Sequence, residues 1–237
     1  MNTLQGLVSR SVNNVNTMFE SLGYITTNVS NYNTPAYKAQ RFECYLKEFG
    51  LLEGAARTNY AQGGLISTDN QFDIGVQGTG FIPVTRKDGT VAYTRDGSLG
   101  VNKDGMLITK DGFVIGDGIK IPANYEKIKI TPDGTVKIIA SKGDDAQIVG
   151  KIPLVTFNNP EELKSIDGNK LIPNEKTGKP VLLTEHSSIK QGMLERSNVN
   201  MYDTVNEVLR LNGSLIASTR LIKVVDDMYS RAINLRQ

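Results

Sequence analysis

The stretch AYTRDGSLGVNKDGMLITKDGFVI, Ala92 to Ile115, decides how the middle of this chain is read. Within it Asp-Gly recurs at Asp96-Gly97, Asp104-Gly105 and Asp111-Gly112, and short β-rich runs lie between. A tight reversal needs a residue that tolerates positive φ, and Asp-Gly supplies one with little strain. The same dipeptide occurs at Asp88-Gly89, Asp117-Gly118, Asp133-Gly134 and Asp167-Gly168. Strands are therefore expected at Phe72 to Val76, Phe81 to Thr85, Val91 to Tyr93, Leu99 to Val101, Met106 to Ile108, Phe113 to Ile115, Ile128 to Ile130 and Val136 to Ile139. A further strand is expected around Ile148 to Phe157. Asn158 to Pro180, polar and containing Pro and Gly, reads as a long surface excursion. Val181 to Thr184 and Ile189 to Leu194 return to the sheet.

Outward from this β region the period changes. In the first segment Leu4, Val8, Val15, Met18, Leu22, Ile25 and Val29 follow a 3-4 spacing, with Ser11 in one apolar slot. In the last, Met201, Val208, Leu211, Leu215, Ile222, Val225 and Tyr229 do the same, with Thr204, Ser218 and Ala232 completing the seam. A narrow stripe wants a partner helix. Periodicity alone also fits two amphipathic helices laid on the central domain. The first 33 residues hold seven Asn, namely Asn2, Asn13, Asn14, Asn16, Asn28, Asn31 and Asn33. Asn competes for the backbone and lowers helix propensity, so this helix should be marginal alone. Thr34-Pro35 ends it, and Ser197 is the expected cap of the final helix.

The fold expected is α+β: a discontinuous helical domain of N- and C-terminal helices, coiled-coil-like, with a central β-rich domain. Its expected divisions are a heptad helix over 1–36, an adaptor over 37–61, a β-rich domain over 62–194 and a second heptad helix over 195–237. In the adaptor, Gly50 and Gly54 interrupt the apolar pattern.

Composition excludes several classes. The chain has 237 residues, 39% of them hydrophobic, and a net charge of +2, enough for a packed core and without the basic stripe that nucleic acid requires. Cys44 is the sole cysteine, so no internal disulfide or Cys-based metal set forms, and it is expected as a small apolar side chain beside a packed surface. No apolar run approaches the length of a membrane span, and the N-terminus lacks the order of a cleavable signal.

Catalytic patterns are missing too. His186 is the lone histidine, beside Glu185 and Ser187, and Ser187-Ser188 has no nucleophile elbow around it. GVQGTG, with Gly75, Gly78 and Gly80, has the order G-x-x-G-x-G and precedes a strand, not a helix. Gly178-Lys179 runs into Pro180 with no upstream glycine to complete a phosphate loop. The acid pairs Asp144-Asp145, Glu161-Glu162 and Asp226-Asp227 point apart as sequence neighbours. No enzyme, cofactor, metal or small-molecule substrate is expected.

Three strings then carry a resemblance. NVSNYNTPAYKAQRF, Asn28 to Phe42, is similar to a signature that follows the first helix of the bacterial flagellar rod and hook axial proteins. Asn28, Asn31, Thr34 and Lys38 occupy signature positions, Tyr37 stands where an aromatic is usual, and Ala36 replaces the usual glycine. FDIGVQGTGFIPV with the Ala92 to Ile115 stretch resembles the family's β segment, and GMLERSNVN, including Ser197, Asn198 and Val199, its C-terminal signature. The resemblance is spread over nearly the whole chain, with Asn158 to His186 its least recognisable part.

The resemblance implies a structural subunit of the basal-body rod that polymerises through its terminal helices into a torque-transmitting shaft. It implies copies of itself and other axial proteins as partners, and export by the flagellar type III apparatus without a cleaved signal peptide. The short stretch between Tyr45 and Gln62 and the single β domain resemble a rod protein of proximal or distal type more than the hook. The alternative is a β-domain adhesin or phage-tail-like component oligomerised by its helices.

Overall fold

A computed structural model of the chain describes residues 4–48, 51–141, 145–166, 169–183 and 187–234. It has N- and C-terminal helices and a central β-rich region, as the patterning indicates, in two compact units. One comprises residues 1–32, 39–59 and 199–237, and the other residues 33–38 and 60–198.

The first unit contains helix α1 (Leu4–Ser30), a hairpin of β1 (Gln40–Leu46) and β2 (Leu52–Thr58), and helix α2 (Met201–Asn234). The hairpin occupies the expected adaptor. Its pattern is irregular because a two-stranded ribbon covered on one side leaves many side chains in water. Phe42 packs inward: its ring stacks on Tyr24 of α1 with centroids 5.3 Å apart. Gly54 lies within β2 and breaks nothing. A Cβ there would sit 1.8 Å from the Phe42 ring, so the glycine makes room for the aromatic contact. Cys44, expected beside a packed surface, is exposed on β1. Ser197 does not cap α2. Asn200 does, accepting the Tyr202 N–H on its side chain at 3.0 Å and the Thr204 N–H on its carbonyl at 3.0 Å, because the helix begins only at Met201.

In the second unit the strands are β3 (Leu65–Ser67), β4 (Ile74–Gln77), β5 (Ile82–Thr85), β6 (Val91–Thr94), β7 (Leu99–Val101), β8 (Leu107–Thr109) and β9 (Val114–Ile115). Then come β10 (Lys127–Ile130), β11 (Thr135–Ile139), β12 (Gln147–Lys151), β13 (Val155–Thr156), β14 (Lys164–Ser165), β15 (Lys170–Ile172), β16 (Val181–Leu182), β17 (Ser188–Gln191) and β18 (Met193–Glu195). The largest sheet runs β14-β15-β6-β5-β9-β8-β7, and a three-stranded sheet runs β10-β11-β12. Pairs β13-β16, β17-β4 and β18-β3 complete the unit. Its core is built from the inward residues of these strands, among them Ile74, Val84, Leu107, Ile115, Val136 and Ile189, each at most 1% exposed.

The Asp-Gly turns work through the glycine. Gly89, Gly105, Gly112, Gly118 and Gly134 all have positive φ, and each donates its N–H to the carbonyl three residues back. Four of them avoid positive φ at both central residues, as in a type I turn closed by a left-handed glycine, whereas the turn ending at Gly118 also has Gly116 at positive φ. At Asp133 the hydroxyls of Thr131 and Thr135 bind the carboxylate and hold its pKa down to about 2. Gly97 is required for another reason: an added Cβ would sit 1.7 Å from the Ile74 carbonyl oxygen. Asp167-Gly168 lies outside the described residues.

Asn158 to Pro180 is not a surface excursion. Leu163, Lys170 and Thr177 are buried, and β15 pairs with β6, placing β14 and β15 at the edge of the large sheet. Lys170 binds Asp111 and lies 4.9 Å over the Phe113 ring. Two short strands carry too little alternation to be read locally, and their register is set by the partner strand.

Candidate assembly surface and ion centre

In the first unit α1 presents several faces, and the stripe read from sequence describes only one. Asn13 accepts the Leu52 N–H at 2.8 Å, and Thr17 donates to the Leu52 carbonyl at 3.4 Å. At the other end Asn28 brackets Gln40, donating to its carbonyl at 2.7 Å and accepting its N–H at 2.9 Å. Two of the asparagines that weaken α1 as an isolated helix, Asn13 and Asn28, thus fasten the hairpin along it. Among the described residues, Ser11, Thr17, Ser21, Ile25 and Asn28 are the buried ones of this helix.

The expected seam residues are placed as follows. Ile25 and Val225 are buried. Val8, Val15, Met18, Leu211, Leu215 and Ile222 are half-buried. Leu22, Val29, Met201, Val208 and Tyr229 are exposed. The side chain of Leu4 lies outside the described residues. Met18, Phe19 and Leu22 on α1 and Val208, Leu211 and Leu215 on α2 line one apolar groove of about 220 Å³. The two helices therefore meet along the stripes without closing them. Further apolar side chains face solvent: Leu7, Val12 and Phe19 on α1, and Leu209, Ile216 and Val224 on α2.

A different centre lies in the second unit. Glu195, 1% exposed at the end of β18, accepts the Lys38 ammonium at 2.6 Å and the Gly63 N–H at 2.8 Å on Oε1, and the Arg95 Nε–H at 2.8 Å on Oε2. Lys38 also donates to the Ala61 carbonyl at 2.7 Å. Burial pushes the Lys38 pKa down, and Glu195 opposes this by favouring the charged form. Arg95 also donates to the carbonyls of Gly80, Gly78 and Val76 at 2.7, 3.0 and 3.3 Å. The glycines of GVQGTG thus turn carbonyls toward a guanidinium, whereas a phosphate loop turns amides toward a ligand.

Of the signature positions, Thr34 accepts the Tyr37 N–H at 3.3 Å. Asn31 donates to the Thr27 carbonyl at 2.9 Å. Asn198 donates its backbone N–H to Tyr37 and its side-chain amide to Ala61 at 3.2 and 2.8 Å. Val199 is buried and Ser197 half-buried. Ala36 adopts φ +55, the left-handed region, which explains why glycine suits this place. Glu195 and Arg95 were missed in the sequence. Their signal was two isolated charges, each just past the end of an expected strand.

Ser187 donates its hydroxyl to the Thr79 carbonyl at 2.5 Å. His186, Glu185 and Asp144 lie outside the described residues. Among the described residues no group of three or more His, Cys, Asp and Glu side chains could hold a metal ion, and no helix is long and apolar enough to cross a membrane.

Two family profiles match the chain. Residues 75–138 match the flagellar hook protein FlgE/F/G D1 domain, and residues 190–235 the flagellar basal body rod FlgEFG protein C-terminal domain. The flagellar basal-body rod protein FlgG of Buchnera aphidicola from Acyrthosiphon pisum is 30% identical, over 74% of this chain and 69% of the relative. FlgF of Caulobacter vibrioides is 30% identical over 92% of each chain. FlgG of Borreliella burgdorferi is 28% identical over 97% of this chain and 92% of the relative.

Proposed function

The chain belongs to the flagellar basal-body rod protein family, and we propose that it packs into the rod through the apolar surfaces of α1 and α2, against copies of itself and other axial proteins. It is a structural subunit of the basal body, and the adhesin or phage-tail alternative is not favoured. The observation that carries the packing proposal is the row of large apolar side chains left in water on both helices, while the β-rich unit closes a core of its own. Burying such a surface on assembly is favourable in proportion to its area. A shaft that transmits torque must resist twisting, and close-packed contacts between subunits supply that stiffness. Function then rests on packing and not on a pocket.

The reading includes passage through the flagellar type III export apparatus with the N-terminus intact, since α1 is itself a packing element. Mass spectrometry of the subunit recovered from isolated hook-basal bodies tests this. An N-terminal peptide that retains residues 4–30 is expected. A mature chain starting within α1 would contradict both the export route and the role of that helix.

A further inference from the structure

The chain passes between its two units four times, first after residue 32 and then after residue 38, before residue 60 and after residue 198. The residues of the β-rich unit next to the last three of these passages are bonded to one another. Lys38 and Asn198 share the Ala61 carbonyl, Asn198 donates to Tyr37, Ala36 N–H donates to the Glu195 carbonyl at 2.8 Å, and Arg196 N–H donates to Gly64 at 2.8 Å. Glu195 lies under all of this. Its carboxylate also holds Gly63 and, through Arg95, the 76–80 loop, to which Gln62 is tied by the Gly78 N–H at 2.8 Å.

We propose that Glu195, Lys38 and Arg95 form a latch that closes the stem of the β-rich unit, so that the three passages seat and release together as one cooperative step distinct from unfolding of the core. Two features support a separate step. The latch is ionic and its members lie outside the main apolar cluster, so the stem can open while the core stays closed. The charges are also unequal, two cations sharing one anion, which makes Lys38 the releasable member. Its departure leaves a neutral Glu195–Arg95 pair, whereas loss of Glu195 leaves two cations without a counter-charge. The segment Asn33 to Lys38 therefore acts as the bolt.

Native-state amide hydrogen exchange of the full chain in low concentrations of urea tests the latch. Amides of Ala36, Gly63, Arg196 and Asn198 are expected to share one opening isotherm, below that of Leu107, whose N–H donates to Ile119 in the core. In Lys38→Met all four should exchange faster by a common factor of about ten or more, the scale of one lost charge-assisted hydrogen bond, while Leu107, which opens only on global unfolding, speeds up by no more than that factor and keeps the higher opening free energy. Should that variant not fold, the wild-type isotherms decide. Four separate isotherms, acceleration at Gly63 alone, or a wild-type opening isotherm for the four amides that coincides with that of Leu107 would each overturn the proposal.

Discussion

Phe19→Asp and Leu209→Asp are each expected to remove the subunit from assembled rods while leaving the soluble chain folded. Phe19 is 57% exposed and Leu209 62%, so in the single chain the new carboxylate stays hydrated. Surface changes of that kind shift stability by only about 0.5 kcal/mol. In a packed rod the same carboxylate would lose water without gaining a partner, at a cost of several kcal/mol per subunit. With each 1.4 kcal/mol worth about tenfold in an equilibrium constant, a cost of about 3 kcal/mol lowers incorporation more than a hundredfold. Electron microscopy of basal bodies and circular dichroism of the purified subunit read the two halves of this expectation. Normal rods from either variant would remove these faces from the interface. Loss of the thermal transition would show that the side chains support the fold of the single chain.

Glu195→Gln should produce the largest loss of stability of any single polar substitution in the β-rich unit. The amide keeps the shape of the side chain but turns a donor toward groups that already donate, and it leaves Lys38 and Arg95 buried without an anion. Breaking a buried ion pair by removing one partner costs about 3–5 kcal/mol. For a chain of this size that is a fall of roughly 10 °C in the midpoint of thermal unfolding. Lys38→Met should cost less, because Glu195 and Arg95 remain paired. If Glu195→Gln unfolded within about 2 °C of the parent, on the same scale, the centre would contribute little to stability and the latch would lose its basis.

The architecture was legible because its local signals agreed. Asp-Gly turns marked the hairpins, and five of them place their glycine at positive φ. The terminal stripes marked the helices, since an apolar residue every three or four positions has few other uses. What could not be read was where polar residues had been given a long-range partner. Asn13 and Asn28 look like poor helix formers until β2 and Gln40 supply the groups they bind. Lys38, Arg95 and Glu195 are separated by 57 and 100 residues, and nothing in the period of a strand announces that its terminal carboxylate is buried. Lys170 presents the same difficulty: its segment reads as a polar loop because its burial depends on Phe113 and Asp111 across the sheet. The subunit-packing residues were only partly legible, for α1 has apolar side chains off the stripe. Phe19 and Leu7 lie outside the 3-4 spacing and yet are among the exposed ones.

The central claim is that the solvent-facing apolar side chains of α1 and α2 become buried in the rod. Because Cys44 is the sole cysteine, a Cys44→Ser background allows single thiols to be placed by Phe19→Cys, Leu209→Cys and, on an exposed turn of the β-rich unit, Lys87→Cys. Maleimide labelling is then compared between the soluble subunit and isolated rods. The account predicts that the thiols at positions 19 and 209 react readily in the soluble subunit and are shielded in the rod, by at least about a hundredfold if burial there is worth about 3 kcal/mol, while the thiol at position 87 stays reactive. Equal labelling at 19 and 209 in both states would contradict it.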